Sequence, residues 1–518
     1  MRKESCSTHN TTQHNDKLNS KAMVELSHAQ QWLEGQGEGW FNNLTLSLLF
    51  LLFISVLFWR KFNRVSSTKL NLPPSPPKLP LIGHLHHLFP FFHSACRDLS
   101  NKYGPIMLLQ LGHAPFLIVS SPDTAKKILM TQDTEFADRP LMTAARIIMR
   151  GYTNVIFAPY GEYWRQGKKL FGEGLLSLQR VQSFKHVREK ISRSCSLQTP
   201  VNLGEMFRAF ITKTSFRCAI TTTSQDGHRL AKMYNGVMTI MGDFSFEYFF
   251  PSLGWMDVLT GFRRRLRKII QENDIFLDQL IEEHISKSTH NCRKKEDLLD
   301  LLLQKEYNLT RGNIKALILD LFLGSDDVAT SLEWAFAKIF NKPNVMKKAQ
   351  EEVRRVVGMK SKVHEEDIHQ MEYLKCVLKE TLRLHPAGPT LVPRINNKVA
   401  SVNGYDIPPN TTVLVNVWAI QRDPKIWDNA EEFIPKRFTN KSEIKSPDHT
   451  FIPFGTGKRL CPGISFGIAI LELFLANLLF HFDWKLPGDL KELDMTEWQG
   501  FSLKMKAPLE LIPISHFA

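Results

Sequence analysis

A loop rich in glycine and proline near the C-terminus constrains this chain more than any other feature. Residues 453–463 read PFGTGKRLCPG, and an apolar stretch, Ile464–Phe480, follows directly. Glycines let the backbone pass close to a flat ligand and point N–H groups at a sulfur atom. Those N–H groups and the N-terminus of the following helix would hold Cys461 as a thiolate. The other interpretation is a buried structural cysteine.

The cysteine content argues against a covalent framework. The chain has 7 cysteines, an odd number, and none of them forms a C-x-x-C pair. A disulfide scaffold and a structural zinc site are therefore both disfavoured. The pattern predicts a reducing compartment, in which a single cysteine can be chemically important.

The charge balance favours acidic partners but not nucleic acid. Lys and Arg (66) outnumber Asp and Glu (52), which makes the formal net charge +14. The basic residues are dispersed, and the short clusters at 263–265 and 293–295 lack the interleaved aromatic residues of a base-stacking groove. We therefore expect no nucleic-acid partner.

The N-terminal region predicts a membrane anchor. Residues 41–62 contain the uncharged apolar core Leu44–Trp59, which nearly spans the hydrocarbon core of a bilayer as a helix. No small-residue cleavage site follows, and Arg60 and Lys61 come at once, so a retained anchor is favoured over a cleaved signal peptide. By the positive-inside rule, these basic residues place the rest of the chain in the cytosol.

Four parts are predicted along the chain. They are a polar, disordered extension at 1–40, the transmembrane anchor at 41–62, a basic and proline-rich hinge at 63–83, and one globular catalytic domain at 84–518. The hinge prediction rests on the prolines of Leu72–Pro80, which stiffen the backbone. No linker or break in composition divides the last part, so it is interpreted as a single domain.

Hydrophobic periodicity predicts that the domain is mainly α with minor β. Alternating runs at Ile106–Gly112 and Phe116–Val119 predict a hairpin, and Thr412–Val417 and Leu509–Ile512 resemble strands. The long amphipathic segments that predict helices are Glu162–Leu178, Arg263–Ser286, Arg311–Phe340, Val345–Val357 and His369–Leu384.

The glycine-rich loop matches the pattern F-x-x-G-x-R-x-C-x-G at every fixed position, through Phe454, Gly457, Arg459, Cys461 and Gly463. On these residues the chain resembles the cytochrome P-450 family, and its anchor and hinge resemble the plant microsomal type. The resemblance covers nearly the whole chain. It implies the cytochrome P-450 fold, haem b (iron protoporphyrin IX) as cofactor, and Cys461 as the axial ligand of the haem iron.

The resemblance also implies a structural network behind the loop. Glu380 and Arg383 match E-x-x-R, in which the two residues pair with each other and with a third residue, here Arg437. Taken alone, such a pair three residues apart is a commonplace helix-surface contact. Lys436 stands where the family usually has glutamate, so one contact of the network is in doubt.

Four further residues match positions that bind the haem propionates. Trp164 and Lys168 resemble the W-x-x-x-R helix, with Lys168 in place of the usual arginine, so the charge is kept but the bidentate fork is lost. Arg394 and Arg459 match the other propionate ligands.

The predicted oxygen-activating helix departs from the family. The pattern [A/G]-G-x-[D/E]-T-[T/S] meets LGSDDV at Leu323–Val328, which keeps the glycine and the acid Asp326 but has Asp327 instead of threonine. Moving the pattern by one residue makes Asp327 the acid and still loses the hydroxyl. We interpret Asp326 and Asp327 as candidates for proton delivery, and two solvated helix acids are the alternative.

These observations together predict a haem-thiolate monooxygenase. It would insert one oxygen atom from O2 into a hydrophobic small molecule of specialised metabolism, such as a terpenoid or phenylpropanoid. No G-x-G-x-x-G follows a strand, so electrons from NADPH would arrive through a separate NADPH–cytochrome P-450 reductase. The predicted location is the endoplasmic reticulum membrane, with a single span and the catalytic domain facing the cytosol.

Three alternatives remain open. The missing threonine fits a haem-thiolate isomerase or dehydratase that needs no NADPH, and the several departures fit a catalytically impaired haem-binding paralogue. A membrane-tethered interaction protein without a cofactor is disfavoured by the complete cysteine loop. By family position, the substrate pocket would draw on Met142–Ile156, Phe244–Leu259, Leu319–Gly324, Ala387–Val392 and Gly500–Leu503.

Overall fold

The computed structural model describes residues 45–56, 70–191, 199–220, 227–290, 297–439, 449–488, 491–500 and 502–517. The chain divides into two compact units, residues 1–69 and residues 70–518. The predicted extension (1–40), the ends of the predicted anchor and residues 63–69 of the predicted hinge lie outside the described residues.

Helix α1 (Thr45–Val56) belongs to the first unit and lies inside the predicted anchor. Its leucine and phenylalanine side chains are exposed, for example Phe50 at 65%. A helix that is apolar all round is typical of a buried or membrane-embedded element. Among the described residues, the helix long and apolar enough to cross a membrane is instead α19 (Ile464–His481), and 67% of it is buried within its own unit.

Helices dominate the second unit, which confirms the predicted mainly α class. They are α2 (Phe92–Tyr103), α3 (Pro122–Lys126), α4 (Thr143–Ile148), α5 (Glu162–Phe171), α6 (Leu178–Ser183), α7 (Lys185–Ile191), α8 (Leu203–Ile220), α9 (Gly227–Gly242), α10 (Phe246–Phe249), α11 (Met256–Leu259), α12 (Phe262–His290), α13 (Leu298–Leu303), α14 (Arg311–Phe340), α15 (Pro343–Val357), α16 (Glu365–Ile368), α17 (Glu372–Leu384), α18 (Val417–Ile420) and α19.

Short strands supply the minor β content. They are β1 (Ile106–Leu111), β2 (Ala114–Val119), β3 (Val201–Asn202), β4 (Arg394–Ile395), β5 (Ala400–Val402), β6 (Tyr405–Ile407), β7 (Thr412–Val415), β8 (Phe482–Lys485), β9 (Glu497–Gln499), β10 (Leu503–Met505) and β11 (Glu510–Ser515). The largest sheet has the order β1-β2-β7-β4, in which β2 and β7 are parallel. The smaller sheets are β3-β11-β8, β5-β6 and the hairpin β9-β10.

Helix α14 runs through the core and positions the site. Thr310 caps its N-terminus, since its hydroxyl accepts from Asn313 N while the Asn313 side chain accepts from Thr310 N. Most of its side chains are buried, on several faces, against α8, α17 and α19. A helix so enclosed presents its few polar side chains to other elements rather than to water.

The predicted elements agree with the structure in kind and mostly in bounds. Arg311–Phe340 is confirmed as a helix at both ends, and the hairpin β1-β2 confirms the two alternating runs. The predicted helix from Glu162 ends at Phe171, and a π-helical turn over Gly172–Leu176 follows it directly.

The proline segment packs against the second unit. Leu108 N donates to the Pro74 carbonyl at 2.9 Å, and the ring of His84 lies 2.8 Å from the Pro76 carbonyl. The part of the predicted hinge from residue 70 onward is therefore part of this compact unit and not a free spacer.

Candidate active site

A cavity of about 290 Å³ lies between α14, α5, the strand β4 and the loop that carries Cys461. Its walls are mainly apolar, with contributions such as Phe171, Leu321, Val392 and Phe454. Three of the five predicted pocket segments contribute to it, namely 142–156, 319–324 and 387–392. No described residue of 244–259 or of the turn at 500–503 lines the cavity, and Phe501 lies outside the described residues.

The backbone of the loop places Cys461 in this cavity. Cys461 N donates to the Phe454 carbonyl at 3.2 Å, which closes the loop. Gly457 has φ of +74°, and a Cβ there would lie 1.9 Å from the Leu129 carbonyl oxygen and 2.5 Å from Asp133 Oδ2. Any other residue would clash with that backbone, so the match at Gly457 has a steric cause.

The protein groups around Cys461 shift the pKa of its thiol in opposite directions. Burial raises the pKa of the thiol to about 11, and the neighbouring Asp327 raises it further. A hydrogen bond from the Gly463 backbone and the charge of Lys168 lower it, but by less. The Gly463 N–H is one of the loop groups expected to favour the thiolate, and a bound metal ion deprotonates a coordinating thiol.

Arg394 and Arg459 lie in the same cavity, as the sequence predicts. Arg394 is buried, forms an ion pair with Asp133 and donates to the Thr456 carbonyl at 3.0 Å. Arg459 donates to the carbonyls of Ala137 (2.8 Å) and Ala158 (2.6 Å). Burial lowers the pKa of both guanidinium groups, in Arg459 to about 10.

Sequence reasoning missed a third arginine of this wall. Arg139 lines the cavity, is 8% exposed, and donates to the carbonyls of Ile156 (2.9 Å) and Val392 (2.7 Å). Burial, followed by the charges of Arg459 and Arg394, puts its pKa well below the usual value for arginine. Arg139 stands alone before Pro140 in a loop, so no periodicity or motif marks it in the sequence.

Three guanidinium groups line this part of the cavity, two of them buried (Arg139 and Arg394), and their charges favour anionic partners. Asp133 forms an ion pair with Arg394, and its second oxygen accepts from Lys458 N. A flat ligand with two carboxylates at its edge and a metal ion at its centre would fit guanidinium groups, apolar walls and a thiol. The donor set therefore fits haem b, with the propionates toward the arginines and the iron toward Cys461.

Trp164 and Lys168 occupy the expected place with different partners. Trp164 Nε1 donates to the Val155 carbonyl at 3.0 Å, so the indole N–H holds a loop of the chain. Lys168 lies over the Trp164 ring at 5.1 Å and donates to the Lys458 carbonyl at 2.9 Å. Both residues line the cavity, and the lysine keeps a positive charge at its edge.

Glu380, Arg383 and Arg437 form the predicted network. The Arg383 guanidinium donates to both oxygens of Glu380 at 2.8 Å, and Arg437 Nε lies 3.2 Å from Glu380 Oε1. Arg383 also donates to the carbonyls of Gln421 and Ala430, and neither Glu380 nor Arg383 is exposed to solvent. The pair is therefore a buried bidentate ion pair with further hydrogen bonds, unlike a surface pair.

The two acids of α14 face different surroundings. Asp326 is buried, and its Oδ2 lies 2.9 Å from Lys504 Nζ of β10. Asp327 lines the cavity and accepts a hydrogen bond from Ser502 Oγ at 2.7 Å. Val328 also lines the cavity and Asp326 does not, so Asp327 is the acid of the pair that faces the cavity.

The environment of Asp327 also shifts its protonation. Burial raises the pKa of its carboxyl to about 7, and Asp326 raises it further, whereas Ser502 and Lys504 lower it. A carboxyl with such a pKa can hold or release a proton near neutral pH, as proton-transfer chemistry requires.

The comparisons with known proteins agree with this site. The family model for cytochrome P-450 matches residues 73–511, so the chain belongs to the cytochrome P-450 family. A zebrafish cytochrome P-450 solved with abiraterone has a TM-score of 0.69 and 24% identity, and covers 82% of this chain and 99% of its own, which shows the shared fold.

Plant proteins with assigned reactions are more similar. Desmethylyatein synthase of Sinopodophyllum hexandrum is 49% identical over 90% of this chain and 98% of its own length. Costunolide synthase of Lactuca sativa and amorpha-4,11-diene 12-monooxygenase of Artemisia annua are each 40% identical, with similar coverage. The chain is a haem-thiolate monooxygenase of plant type, as the sequence predicts. Members of this family use a redox partner and act on hydrophobic substrates.

Proposed function

We propose that this chain is a monooxygenase of plant specialised metabolism held at the endoplasmic reticulum membrane with its catalytic domain in the cytosol. It takes electrons from NADPH through NADPH–cytochrome P-450 reductase. The observation that carries the proposal is the mainly apolar cavity that brings Cys461, three arginines and Asp327 together. The exposed apolar helix α1 supports the anchor, and the net charge of +14 suits an acidic partner.

In this proposal the cavity holds haem b through groups at its wall. Cys461 would ligate the haem iron through its sulfur, and Arg139, Arg394, Arg459 and Lys168 would neutralise the propionates. The haem, once bound to a thiolate, supplies the activation of dioxygen. The buried network of Glu380, Arg383 and Arg437 supports the loop from behind, since Arg383 ties α17 to the chain around Ala430.

At the α14 wall of the cavity, Asp327 holds and moves protons. Its carboxyl reaches the cavity, and its pKa of about 7 lets both protonation states exist at cytosolic pH. Asp326 takes part through its charge, because its ion pair with Lys504 limits repulsion between the adjacent carboxylates. The apolar walls orient the substrate and exclude bulk water.

For the substrate we propose a terpenoid or a phenylpropanoid-derived compound such as a lignan. The relatives named for desmethylyatein, costunolide and amorphadiene act in these classes. The lining of this cavity fits them, because its polar side chains are few and lie toward the arginine wall and α14.

The test uses the full-length chain expressed in membranes with the reductase. The spectrum of the dithionite-reduced protein with carbon monoxide is expected to show the strongly red-shifted Soret band of thiolate-ligated haem. Substrate-binding spectra with a panel of terpenoids and lignans then select compounds for assay. NADPH-dependent incorporation of one atom of labelled dioxygen is expected, and a normal haem spectrum without any such turnover would overturn the proposal.

One observation favours a second function in the same assay. Asp327 replaces the threonine of the family pattern at the cavity wall. A haem-thiolate isomerase or dehydratase would convert its substrate without NADPH or dioxygen. Turnover that persists without reductase and under anaerobic conditions would assign this second function.

A further inference from the structure

The hairpin β9-β10 faces the acids of α14 with two polar side chains. In the pairing of the hairpin, Leu503 lies opposite Gln499 and Lys504 opposite Trp498. Ser502 directly precedes β10, and Lys504 lies within it. Both side chains meet α14, where Ser502 Oγ is 2.7 Å from Asp327 Oδ1 and Lys504 Nζ is 2.9 Å from Asp326 Oδ2.

The neighbouring acids need two separate partners because of helix geometry. Successive residues of an α-helix are rotated by about 100°, so adjacent side chains cannot share one environment. Asp326 is turned toward the cation of Lys504, and Asp327 toward the cavity and the hydroxyl of Ser502. Ser502 and Lys504, at the start of β10 and within it, therefore complement Asp326 and Asp327 on the helix.

The hairpin is itself firmly held at this point. Trp334 Nε1 of α14 donates to the Leu503 carbonyl at 2.8 Å, and Leu503 N donates to the Ala387 carbonyl at 2.9 Å. On β9, Glu497 Oε2 lies 3.0 Å from His93 Nε2. Ser502 is only 2% exposed, so its hydroxyl has little freedom to turn toward water.

We propose that Ser502 and Lys504 are positioning residues for Asp327. Ser502 holds Oδ1, so that the second carboxylate oxygen is presented to the cavity, and Lys504 compensates the charge of Asp326. The hydroxyl and the acid that the family pattern carries on one helix are here assembled from α14 and the C-terminal hairpin. This inference rests on the proposed monooxygenase function of the same site.

Variants of the full-length holoenzyme test it. Ser502→Ala is expected to lower the ratio of product formed to NADPH consumed by about three- to tenfold, the effect of losing one ordinary hydrogen bond. Ser502→Thr keeps the hydroxyl and is expected to restore most of the ratio. Substrate affinity, measured by binding spectra, is expected to stay within about twofold, since Ser502 does not line the cavity.

Thr496→Val is the matched control on the same hairpin. It removes a hydroxyl that donates to exposed Asp494 and does not face α14. Its ratio of product to NADPH is expected to match that of the parent chain. Ser502→Cys, which has nearly the volume of serine but is a weak donor, replaces Ser502→Ala if the alanine variant does not fold.

A second readout needs neither turnover nor reductase. The infrared stretching band of carbon monoxide bound to the reduced protein responds to polar groups in the cavity. Ser502→Ala and Asp327→Asn are expected to shift this band, whereas Thr496→Val is expected to leave it in place. If Ser502→Ala left both the band and the product ratio unchanged, the inference would be overturned. If neither the parent chain nor any variant turned over substrate, the proposed function would fail. The carbon monoxide stretching band would still test whether Ser502 positions Asp327.

Discussion

The cavity has two walls that are built differently, one from the loop of Cys461 and one from α14. The loop of Cys461 is continuous in sequence, matches the family pattern at every fixed position, and depends on backbone shape at Gly457. The wall formed by α14 departs from the pattern at Asp327, whose hydroxyl partner Ser502 lies 175 residues away. Holding a metal ligand requires one local backbone geometry, whereas holding a proton-carrying side chain requires only a suitable contact, which any neighbouring element can supply.

The largest expected effect lies in the loop. Cys461→Ser is expected to abolish the thiolate carbon monoxide band and all NADPH-dependent product formation, because a hydroxyl does not replace a thiolate as the axial ligand. The reduced carbon monoxide spectrum and a product assay measure both effects. Cys376→Ser is the control, since Cys376 lies outside the cavity in α17. A native spectrum in Cys461→Ser would show that Cys461 is not the haem ligand and would contradict the comparison of the two walls.

The network behind the loop is expected to give the next largest effect. Glu380→Gln leaves the Arg383 charge buried without its carboxylate, which is expected to cost about 3–5 kcal/mol in the free energy of unfolding. Urea unfolding and the haem content of the purified protein measure this loss.

Glu351→Gln is the matched control for Glu380. Its side chain is 65% exposed and its partner Lys347 is 3.9 Å away, so we expect a change below about 0.5 kcal/mol. Equal stability of the two variants would show that the network does not support the loop.

A substitution in the α14 wall is expected to change activity and to leave haem binding unchanged. Asp327→Asn keeps the shape but cannot carry a proton, so the ratio of product to NADPH is expected to fall by about 10²-fold. The thiolate carbon monoxide band is expected to remain. Asp428→Asn, at an exposed site, is the control. Loss of the thiolate band in Asp327→Asn would mean that the two walls are not separable.

The stability of the protein is expected to depend on pH through His385, which stacks on Trp334, the residue that holds the hairpin. His385 stacks on Trp334 with ring centroids 3.9 Å apart, and burial lowers its pKa from 6.5 to about 3. Because the unfolded chain then binds a proton that the folded chain excludes, stability is expected to fall below pH 6.5 by about 1.4 kcal/mol per pH unit until pH approaches the folded pKa.

Unfolding in urea at pH 7 and pH 5 measures this effect, with His385→Phe as the comparison. The phenylalanine keeps an aromatic ring against Trp334 and has no proton to bind, so a shallower dependence on pH is expected. A slope as steep in His385→Phe as in the parent chain would contradict the prediction.

The smallest effect is expected at the edge of the cavity. Lys168→Ala removes one hydrogen bond to the Lys458 carbonyl and one charge near the propionates, so haem retention is expected to weaken by about fivefold. The rate of haem transfer to apomyoglobin measures it. Lys169→Ala is the control on the next residue, which is 70% exposed. Equal transfer rates in both variants would remove Lys168 from the cofactor site.

The sequence predicted a large part of the fold and of the cofactor wall. The helix Arg311–Phe340 could be predicted because its cap and its apolar residues are local signals, and both predicted ends agree with the structure. The loop residues Phe454 to Gly463 were readable because glycine positions and the cysteine stand in one run. The role of Arg139 could not be predicted from the sequence, because a lone arginine in a loop becomes a cavity residue only when distant segments fold around it.

By itself, then, the sequence determined the family, the loop that carries Cys461 and the helical class, since each depends on local runs of residues. Tertiary structure alone decided that Asp327 and not Asp326 faces the cavity, that Trp164 holds Val155, and that Ser502 reaches α14. Those outcomes depend on which surfaces pack together. A side chain acquires its partner and its pKa from whatever the fold places within a few ångströms of it, however far along the chain that residue stands.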